Sequence, residues 1–346
     1  MQWLEQPHIK WAVPIPLLLA VAPVVWAFFR KTWRELDEEA FLYRRALHER
    51  GEIDYRPLVA LTLGALVLTF QDYYGRFDTY ENAIKPWLER REAAHPGGLI
   101  DLAMYDELYL RTWWAITRVG GYVFPLALWR LFFRGDSLLD FGLRPHGFRE
   151  HAWIYAMCVF VMVPILLAVS HQSDFVSYYP LYKHAGRSWL DYIIWETLYL
   201  AQFITLEIFF RGWWIRATRV FGIGAIWSMV VPYCMIHYGK PYLEACAACV
   251  AGVILGSLSM KTRSIYSGFL VHGTVAILMD ILSLDARGGL PVLLAPWSGR
   301  RIVFLYWHAV IWVAWGLALL VIALKAWRVW RARAAAPPAQ AQGAPT

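Results

Sequence analysis

Long apolar runs separated by charged connections dominate the chain. Each run is close to the ~20 residues that a helix needs to cross the hydrocarbon core of a bilayer. The pattern therefore predicts an all-α fold, a polytopic membrane helix bundle of about 8–9 transmembrane helices. The nine candidate spans are 11–29, 57–74, 112–133, 152–170, 190–216, 221–238, 243–260, 264–284 and 302–324.

The first run lacks the organisation of a cleavable signal peptide. It contains Pro14, Pro16 and Pro23, and we expect a basic loop to follow it. We therefore interpret it as the first transmembrane span.

Positive charge alternates between the two sides of the predicted membrane. Because Lys and Arg collect on the cytoplasmic side, the alternation predicts an external N-terminus and a cytoplasmic C-terminus. Segment 75–111 departs from this pattern, since it carries charges of both signs, and we expect an amphipathic surface element there. The basic segments that follow every second run are 30–45, 134–149, 216–219, 261–263 and 325–333.

Composition supports a membrane protein and argues against a nucleic-acid partner. The chain is 59% hydrophobic and 17% charged, whereas soluble domains carry about a quarter charged residues. Its 20 Trp and 19 Tyr residues fit the aromatic belts of membrane interfaces. The net charge of +7 is placed at the ends of apolar runs, where it directs topology. The four cysteines lie in apolar runs, and we interpret them as packing residues.

Ionisable side chains inside the apolar runs are the candidate functional residues. Glu207 and Arg211 lie four residues apart in the fifth run, so their side chains share a helix face. His237 and His272 fall within the sixth and eighth runs, and a rise of ~1.5 Å per residue places all of them near the middle of the bilayer. Such residues usually face a protein interior and usually have a function. For His308, in the ninth run, we expect a hydrogen bond between helices.

Several kinds of chemistry are open to this set of residues. A glutamate that accepts a proton from water, with histidines that donate to an oxyanion, would make a peptide hydrolase. Two histidines and one glutamate with an open fourth position also form a catalytic zinc set, although the sequence contains no helical HExxH. A third interpretation is a buried Glu207–Arg211 ion pair that only holds helices together.

Four segments resemble the CPBP intramembrane proteases, which include the prenyl-protein (CAAX) endopeptidases and bacteriocin-processing relatives. The family pattern is EExxxR on one helix, FxxxH on the next and HxxxN on a later one. Glu207–Gly212 matches the second half of the first motif, and Tyr233–His237 matches the second with Tyr for Phe. Leu270–His272 is similar to the start of the third motif, and Phe141–Arg144 resembles the loop before the core. The resemblance covers about 140–285.

Two positions depart from the family pattern. Leu206 stands where the family has its water-activating glutamate, and Ala276 stands where it has an asparagine near the oxyanion. Neighbouring helical residues point about 100° apart, so Glu207 replaces Leu206 only if the helix is rotated or shifted. Three other acids, Glu196, Asp280 and Glu244, are candidates for a partial substitute.

The resemblance implies a domain organisation and a function. We expect an intramembrane endopeptidase of the CPBP/CAAX type in the bacterial inner (plasma) membrane, with Glu207, Arg211, His237 and His272 as catalytic residues. We expect no cofactor, zinc being the disfavoured alternative, and the substrate would be a membrane-associated or lipid-modified protein. The alternatives are a catalytically inactive relative that binds a partner and, less well supported, a transporter. The predicted regions are 1–135 (N-terminal helices), 136–285 (core), 286–326 (loop and last helix) and 327–346 (basic, then disordered tail).

Overall fold

A computed structural model describes residues 12, 14–145, 150–170, 172–289 and 300–334. Within these ranges the regular secondary structure is helical and no strand occurs, which confirms the predicted all-α class. The helices are numbered here in chain order: α1 Pro14–Arg50, α2 Arg56–Tyr74, α3 Phe77–Ala94, α4 Leu102–Phe132, α5 Ala152–Val169, α6 Ser173–Tyr178, α7 Trp189–Ala217, α8 Gly224–Met235, α9 Tyr242–Thr262, α10 Tyr266–Ala286 and α11 Arg300–Ala334.

Each of the nine predicted runs coincides with one of these helices. By length and composition, α1, α7, α9, α10 and the Val310–Arg328 part of α11 are able to cross a membrane. Helices α2 and α3 form a sixth candidate if they are one span broken by a bend of 59°. Five or six helices thus pass this test, while the count of eight or nine spans stays a prediction.

The basic loop predicted after the first run is instead the second half of α1. Helical geometry brings residues four apart together, as in the Arg45–Glu49 ion pair of 2.8 Å. A stripe formed by Thr32, Leu36 and Ala40 is also buried, and α1 packs against α9. The expectation of a loop was wrong because the charged side chains cover only the outer face of a helix whose other face is buried.

Segment 75–111, which was predicted to be an amphipathic surface element, contains α3 and runs into the start of α4. Tyr80 and Leu88 are the buried residues of α3. The Tyr80 hydroxyl donates to Asp106 Oδ1 at 2.8 Å, and Lys85 Nζ lies 2.9 Å from Asp106 Oδ2. One carboxylate on α4 therefore fixes the position of α3.

Aromatic side chains fill the space around α7. The Phe209 ring stacks on Trp213 at 5.3 Å and contacts Tyr122 of α4 at 5.1 Å. Trp213 in turn meets Trp129 edge to face at 5.7 Å. Such rings each remove a large apolar area from solvent and prefer these tilted geometries. Helix α7 is thus held between α4 and α10, against which it packs.

The chain divides into two compact units, Met1–Pro291 and Val292–Thr346. The first contains α1 to α10. The second contains α11, whose Val310–Arg328 window has a mean hydropathy of 2.1, as expected of a transmembrane helix. The loop residues 290–299 and the predicted disordered tail beyond Ala334 lie outside the described residues.

Asp136 joins the start of α2 to the end of α4. Its carboxylate accepts hydrogen bonds from Arg56 Nε at 2.8 Å, Arg56 Nη2 at 2.7 Å and Trp129 Nε1 at 3.0 Å. The bidentate arginine contact is the strong form of such pairs, and it lowers the pKa of the Asp136 carboxyl.

We expect Asp136→Asn to destabilise the protein by about 1–3 kcal/mol, because two charge-assisted hydrogen bonds are lost. Thermal unfolding of purified protein in detergent at pH 7 measures the change in Tm. Since the folded-state pKa is lowered, the stabilisation is complete above about pH 4 and disappears as the pH falls through the lowered value. The matched control is Glu52→Gln, because Glu52 and Arg50 form an ion pair that is 55% exposed on both sides and worth at most about 1 kcal/mol. Equal Tm values for Asp136→Asn and Glu52→Gln would contradict the argument.

Candidate active site

Helix α7 changes its winding at the candidate site. Residues 189–207 are α-helical, whereas Ile208–Trp214 form a π-helical segment. A π-turn inserts an extra residue and shifts the faces of the helix that follow, and such turns are frequent at functional sites. The π-helical segment begins directly after Glu207 and therefore shifts the part of the motif that contains Arg211 and Gly212.

A single carboxylate oxygen connects α7 to α10. Glu207 is 0% exposed, and its Oε1 accepts from Arg211 Nη1 at 3.0 Å. The same oxygen lies 3.0 Å from His272 Nδ1. Its Oε2 has no hydrogen-bond partner within the described chain. The structure thus brings Glu207, Arg211 and His272 into direct contact.

Close approach of α10 to Glu207 requires a glycine. A Cβ atom on Gly268 would lie 2.2 Å from Glu207 Oε2, well inside van der Waals contact. Sequence reasoning missed this residue. The sequence did contain a relevant feature, since Gly268 lies one helical turn before His272. A glycine at such a position indicates that the helix passes close to another part of the protein.

The Arg211 guanidinium is buried between Glu207 and an aromatic face. Its Cζ atom lies 4.1 Å from the centre of the Tyr233 ring, a cation–π contact that strengthens when desolvated. Nε and Nη2 make no hydrogen bond within the described residues. The positive charge of Arg211 therefore lies against the Glu207 carboxylate and the face of the Tyr233 ring.

Tyr233 also holds the second histidine. His237 lies just beyond the end of α8, where its Nδ1 is 2.7 Å from the Tyr233 carbonyl oxygen. The two rings are 4.6 Å apart, and the His272 ring lies 6.3 Å from Tyr233. His237 is therefore placed beside the Glu207–His272 pair through Tyr233, which contacts both histidine rings.

The hydrogen bonds determine which histidine nitrogens carry protons. Carboxylate and carbonyl oxygens only accept, so Nδ1 of His272 and Nδ1 of His237 must each donate. In the neutral rings each Nε2 is then an acceptor. Both histidines are suited to take a proton from water, whereas the expected role of donors to an oxyanion would need a protonated ring.

The alternative zinc set would take its ligands from Glu207, His237 and His272. In the ranges that the structure describes, no cluster of three or more His, Cys, Asp or Glu side chains could hold a metal ion. Glu207 Oε1 accepts hydrogen bonds from Arg211 Nη1 and from His272 Nδ1.

The two departures from the family pattern are filled by apolar packing. Leu206 is buried in the cluster that contains Phe209 and Phe210. Ala276 is buried with Tyr199 and Phe203. Neither position offers a polar atom of its own side chain to the site.

The other candidate acids lie elsewhere. Both oxygens of Glu244 are occupied, one by Lys240 Nζ at 2.8 Å and one by the Tyr179 hydroxyl at 2.6 Å. Glu196 and Asp280 lie together three helical turns from Glu207, about 16 Å along α7 at ~1.5 Å per residue. None of the three takes the place of Leu206. His308 lies on α11, in the second unit.

The loop Phe141–Arg144, singled out in the sequence, supports the ends of α7 and α10. The Gly142 carbonyl accepts from Ile265 N at 3.0 Å, and Gly142 itself has φ +79°, a conformation that favours glycine. A Cβ on Gly212 would lie 2.4 Å from the Phe141 carbonyl oxygen. The loop therefore lies directly against the π-helical segment.

These features define an integral membrane protein whose apolar helices bury a glutamate–arginine–histidine cluster. Comparison with family models gives a match over residues 188–278 to the family described as type II CAAX prenyl endopeptidase Rce1-like. The match includes α7, α8, α9 and most of α10, and with them all four candidate residues. It confirms the predicted resemblance to CAAX proteases in this part of the chain. Neither the comparison with curated proteins nor that with solved structures gives a match.

We expect Gly268→Ala to disrupt the cluster, because the added methyl group would overlap Glu207 Oε2 in a site that cannot relax without moving a helix. Thermal unfolding should show a loss of about 1–3 kcal/mol, the usual result of overpacking. Gly273→Ala on the same helix is the control, since its Cβ would meet only the mobile end of Leu200 at 3.0 Å. If both variants unfold at the wild-type temperature, the close approach at Gly268 is wrong.

Proposed function

We propose that the protein is an intramembrane endopeptidase of the CAAX-protease type, which cleaves a membrane-associated or lipid-modified protein. The family match suggests a prenylated protein as the substrate class. The observation that carries the proposal is the buried Glu207–His272 hydrogen bond of 3.0 Å, located inside the matched segment. A carboxylate paired with a histidine in this way is a common arrangement for general-base catalysis.

In this proposal His272 is the base and Glu207 orients it. Glu207 accepts the Nδ1 proton, so His272 Nε2 is free to remove a proton from a water molecule. The resulting hydroxide attacks the peptide carbonyl carbon, and the C–N bond breaks as the proton passes from Nε2 to the leaving amine. His237 Nε2 accepts a hydrogen bond from the second water hydrogen and positions the nucleophile. Arg211 donates to Glu207 and holds the carboxylate in place against His272.

A non-catalytic relative is the second candidate, and Leu206 and Ala276 favour it. Both side chains are buried and apolar, so two polar groups of the family pattern are missing. In that case the same site would bind a hydrophobic or lipid-modified peptide without cleaving it.

Substitution of the base tests the proposed chemistry. We expect His272→Ala and Glu207→Gln each to lower the rate of peptide cleavage by about 10²- to 10⁴-fold, the usual contribution of a positioned acid–base group. The assay uses full-length protein in liposomes and a fluorogenic peptide, with and without a prenyl group. Glu244→Gln is the control, because Glu244 is also membrane-embedded but bonded to Lys240 and Tyr179.

The outcomes separate the two candidates. Cleavage that is unchanged in His272→Ala would remove that residue from the mechanism. If the wild-type protein binds the prenylated peptide but cleaves neither form, the non-catalytic relative is the correct assignment.

We expect metal chelators to leave cleavage unchanged, because the proposed water activation uses the His272–Glu207 pair. The same liposome assay is run after treatment with 1,10-phenanthroline and with its non-chelating isomer as the control. Activity that is lost only with the chelator and restored by Zn²⁺ would instead assign Glu207, His237 and His272 as zinc ligands.

A further inference from the structure

A second pair of buried carboxyl groups lies at the opposite end of the α7–α10 interface. Glu196 is on α7 and Asp280 is on α10, and their side chains are 7% and 0% exposed. Trp195, the residue before Glu196, donates a hydrogen bond to Asp280, so the two acids lie in the same part of the interface. Acidic side chains inside a membrane bundle are costly unless they bind something or have partners.

These carboxyl groups lack the partners that buried carboxylates need. Asp280 Oδ2 accepts from Trp195 Nε1 at 2.6 Å. Asp280 Oδ1 and both oxygens of Glu196 make no hydrogen bond within the described residues, although the Tyr192 hydroxyl lies beside Glu196. Three buried carboxyl oxygens therefore accept no hydrogen bond within the described residues.

The nearest cations are held by other groups. Lys183, in the connection before α7, donates to the carbonyl oxygens of Ser177, Tyr178 and Pro180 at 2.7–2.9 Å. Arg287, just after α10, donates to backbone carbonyl oxygens near the end of α6. In the described part of the chain neither cation forms an ion pair with either acid. The remaining titratable groups that face the pair are the hydroxyls of Tyr192 and Tyr199 on α7.

Glu207 is a buried glutamate on this same helix that has a cation beside it. It lies 3.0 Å from the Arg211 guanidinium, whereas Glu196 forms no ion pair within the described residues. Two negative charges in the same apolar region repel each other strongly, because the dielectric screening is weak. A proton on one of the two groups removes this repulsion.

Aromatic rings separate this pair from the candidate active site. Trp195 stacks on Tyr199 at 4.9 Å, Tyr199 contacts Phe203 at 4.7 Å, and Phe203 contacts His272 at 4.4 Å. Phe203 carries no polar atom and therefore interrupts any chain of hydrogen bonds between the two ends. The two ionisable sites on the α7–α10 interface are thus independent.

We propose that Glu196 and Asp280 form a proton-binding site in which one of the two carboxyl groups is protonated at neutral pH. The site is distinct from the Glu207–His272 pair and does not depend on the proposed peptidase activity. Its ligand is a proton taken up from water, and the bound form has one carboxylic acid and one carboxylate.

Dicyclohexylcarbodiimide tests the proposal, since it modifies protonated carboxyl groups in apolar surroundings. Full-length protein in liposomes is treated at pH 7.5 and the adducts are located by mass spectrometry. At this pH an ordinary carboxyl group is protonated in only about one molecule in a thousand or fewer. We expect one adduct per chain, on Glu196 or Asp280, and none on Glu207, which is equally buried but paired with Arg211.

Infrared spectroscopy gives a second test, which does not depend on whether dicyclohexylcarbodiimide can reach the buried carboxyl groups. At neutral pH the wild-type protein should show the C=O stretch of a buried carboxylic acid. The double variant Glu196→Gln, Asp280→Asn should lose this band, whereas Glu207→Gln should retain it. A wild-type spectrum without the band would overturn the proposal.

A sodium ion is the alternative to a proton as the ligand of this site. Infrared spectra recorded in two different salts distinguish the two ligands. The infrared spectrum is recorded in sodium chloride and in choline chloride at equal ionic strength. A band of the same intensity in both salts supports proton binding. Loss of the band and of the adduct in sodium alone would show that the pair binds Na⁺, and the assignment to a proton would be wrong.

Discussion

The contact of one carboxylate oxygen with both an arginine and a histidine organises the interior of this protein. Glu207 is fully buried, and a buried charge is strongly destabilising unless a partner of opposite charge lies within hydrogen-bond distance. Arg211 supplies that partner from the next turn of the same helix, and His272 adds a donor from α10. The π-helical segment and Gly268 both allow this approach. The site therefore determines how closely α7 and α10 pack.

The same interface carries two acidic sites that differ in one respect. At one end Glu207 has a guanidinium beside it, whereas at the other end Glu196 and Asp280 have no paired cation in the described chain and Asp280 accepts from a tryptophan N–H. The presence or absence of a single cation changes what each site can bind. In the two proposals, the carboxylate beside the cation orients a histidine, while the acids without a cation bind a proton. The aromatic ladder of Trp195, Tyr199 and Phe203 keeps the two sites apart.

The match to the family model and the positions of the buried polar side chains agree over most of the site, but they differ at two residues. Residues 188–278 match the CAAX endopeptidase model, yet Leu206 and Ala276 are packed among apolar neighbours in the folded chain. The hydrogen bonds of His237 and His272 leave two Nε2 atoms as acceptors. The polar side chains that the family pattern has at positions 206 and 276 are absent.

Local features of the chain were predictable because they depend on residues close in sequence. The apolar runs gave the position of each membrane-length helix, and the four-residue spacing gave the Glu207–Arg211 pair. The helical second half of α1 was missed, since its burial depends on α9, a distant segment whose packing is not encoded in the charged sequence of 30–50.

By itself, the sequence determined the helical class, the membrane character and which ionisable residues lie in apolar surroundings. Only the tertiary structure decided that His272 contacts Glu207, that Tyr233 lies beside both histidines and Arg211, and that Trp195 bonds to Asp280. These contacts join helices far apart in the chain, so they depend on the relative shift and rotation of α7, α8 and α10. A hydropathy pattern fixes the length of a helix but not its rotation or shift against its neighbours, because those are set by side-chain packing between helices.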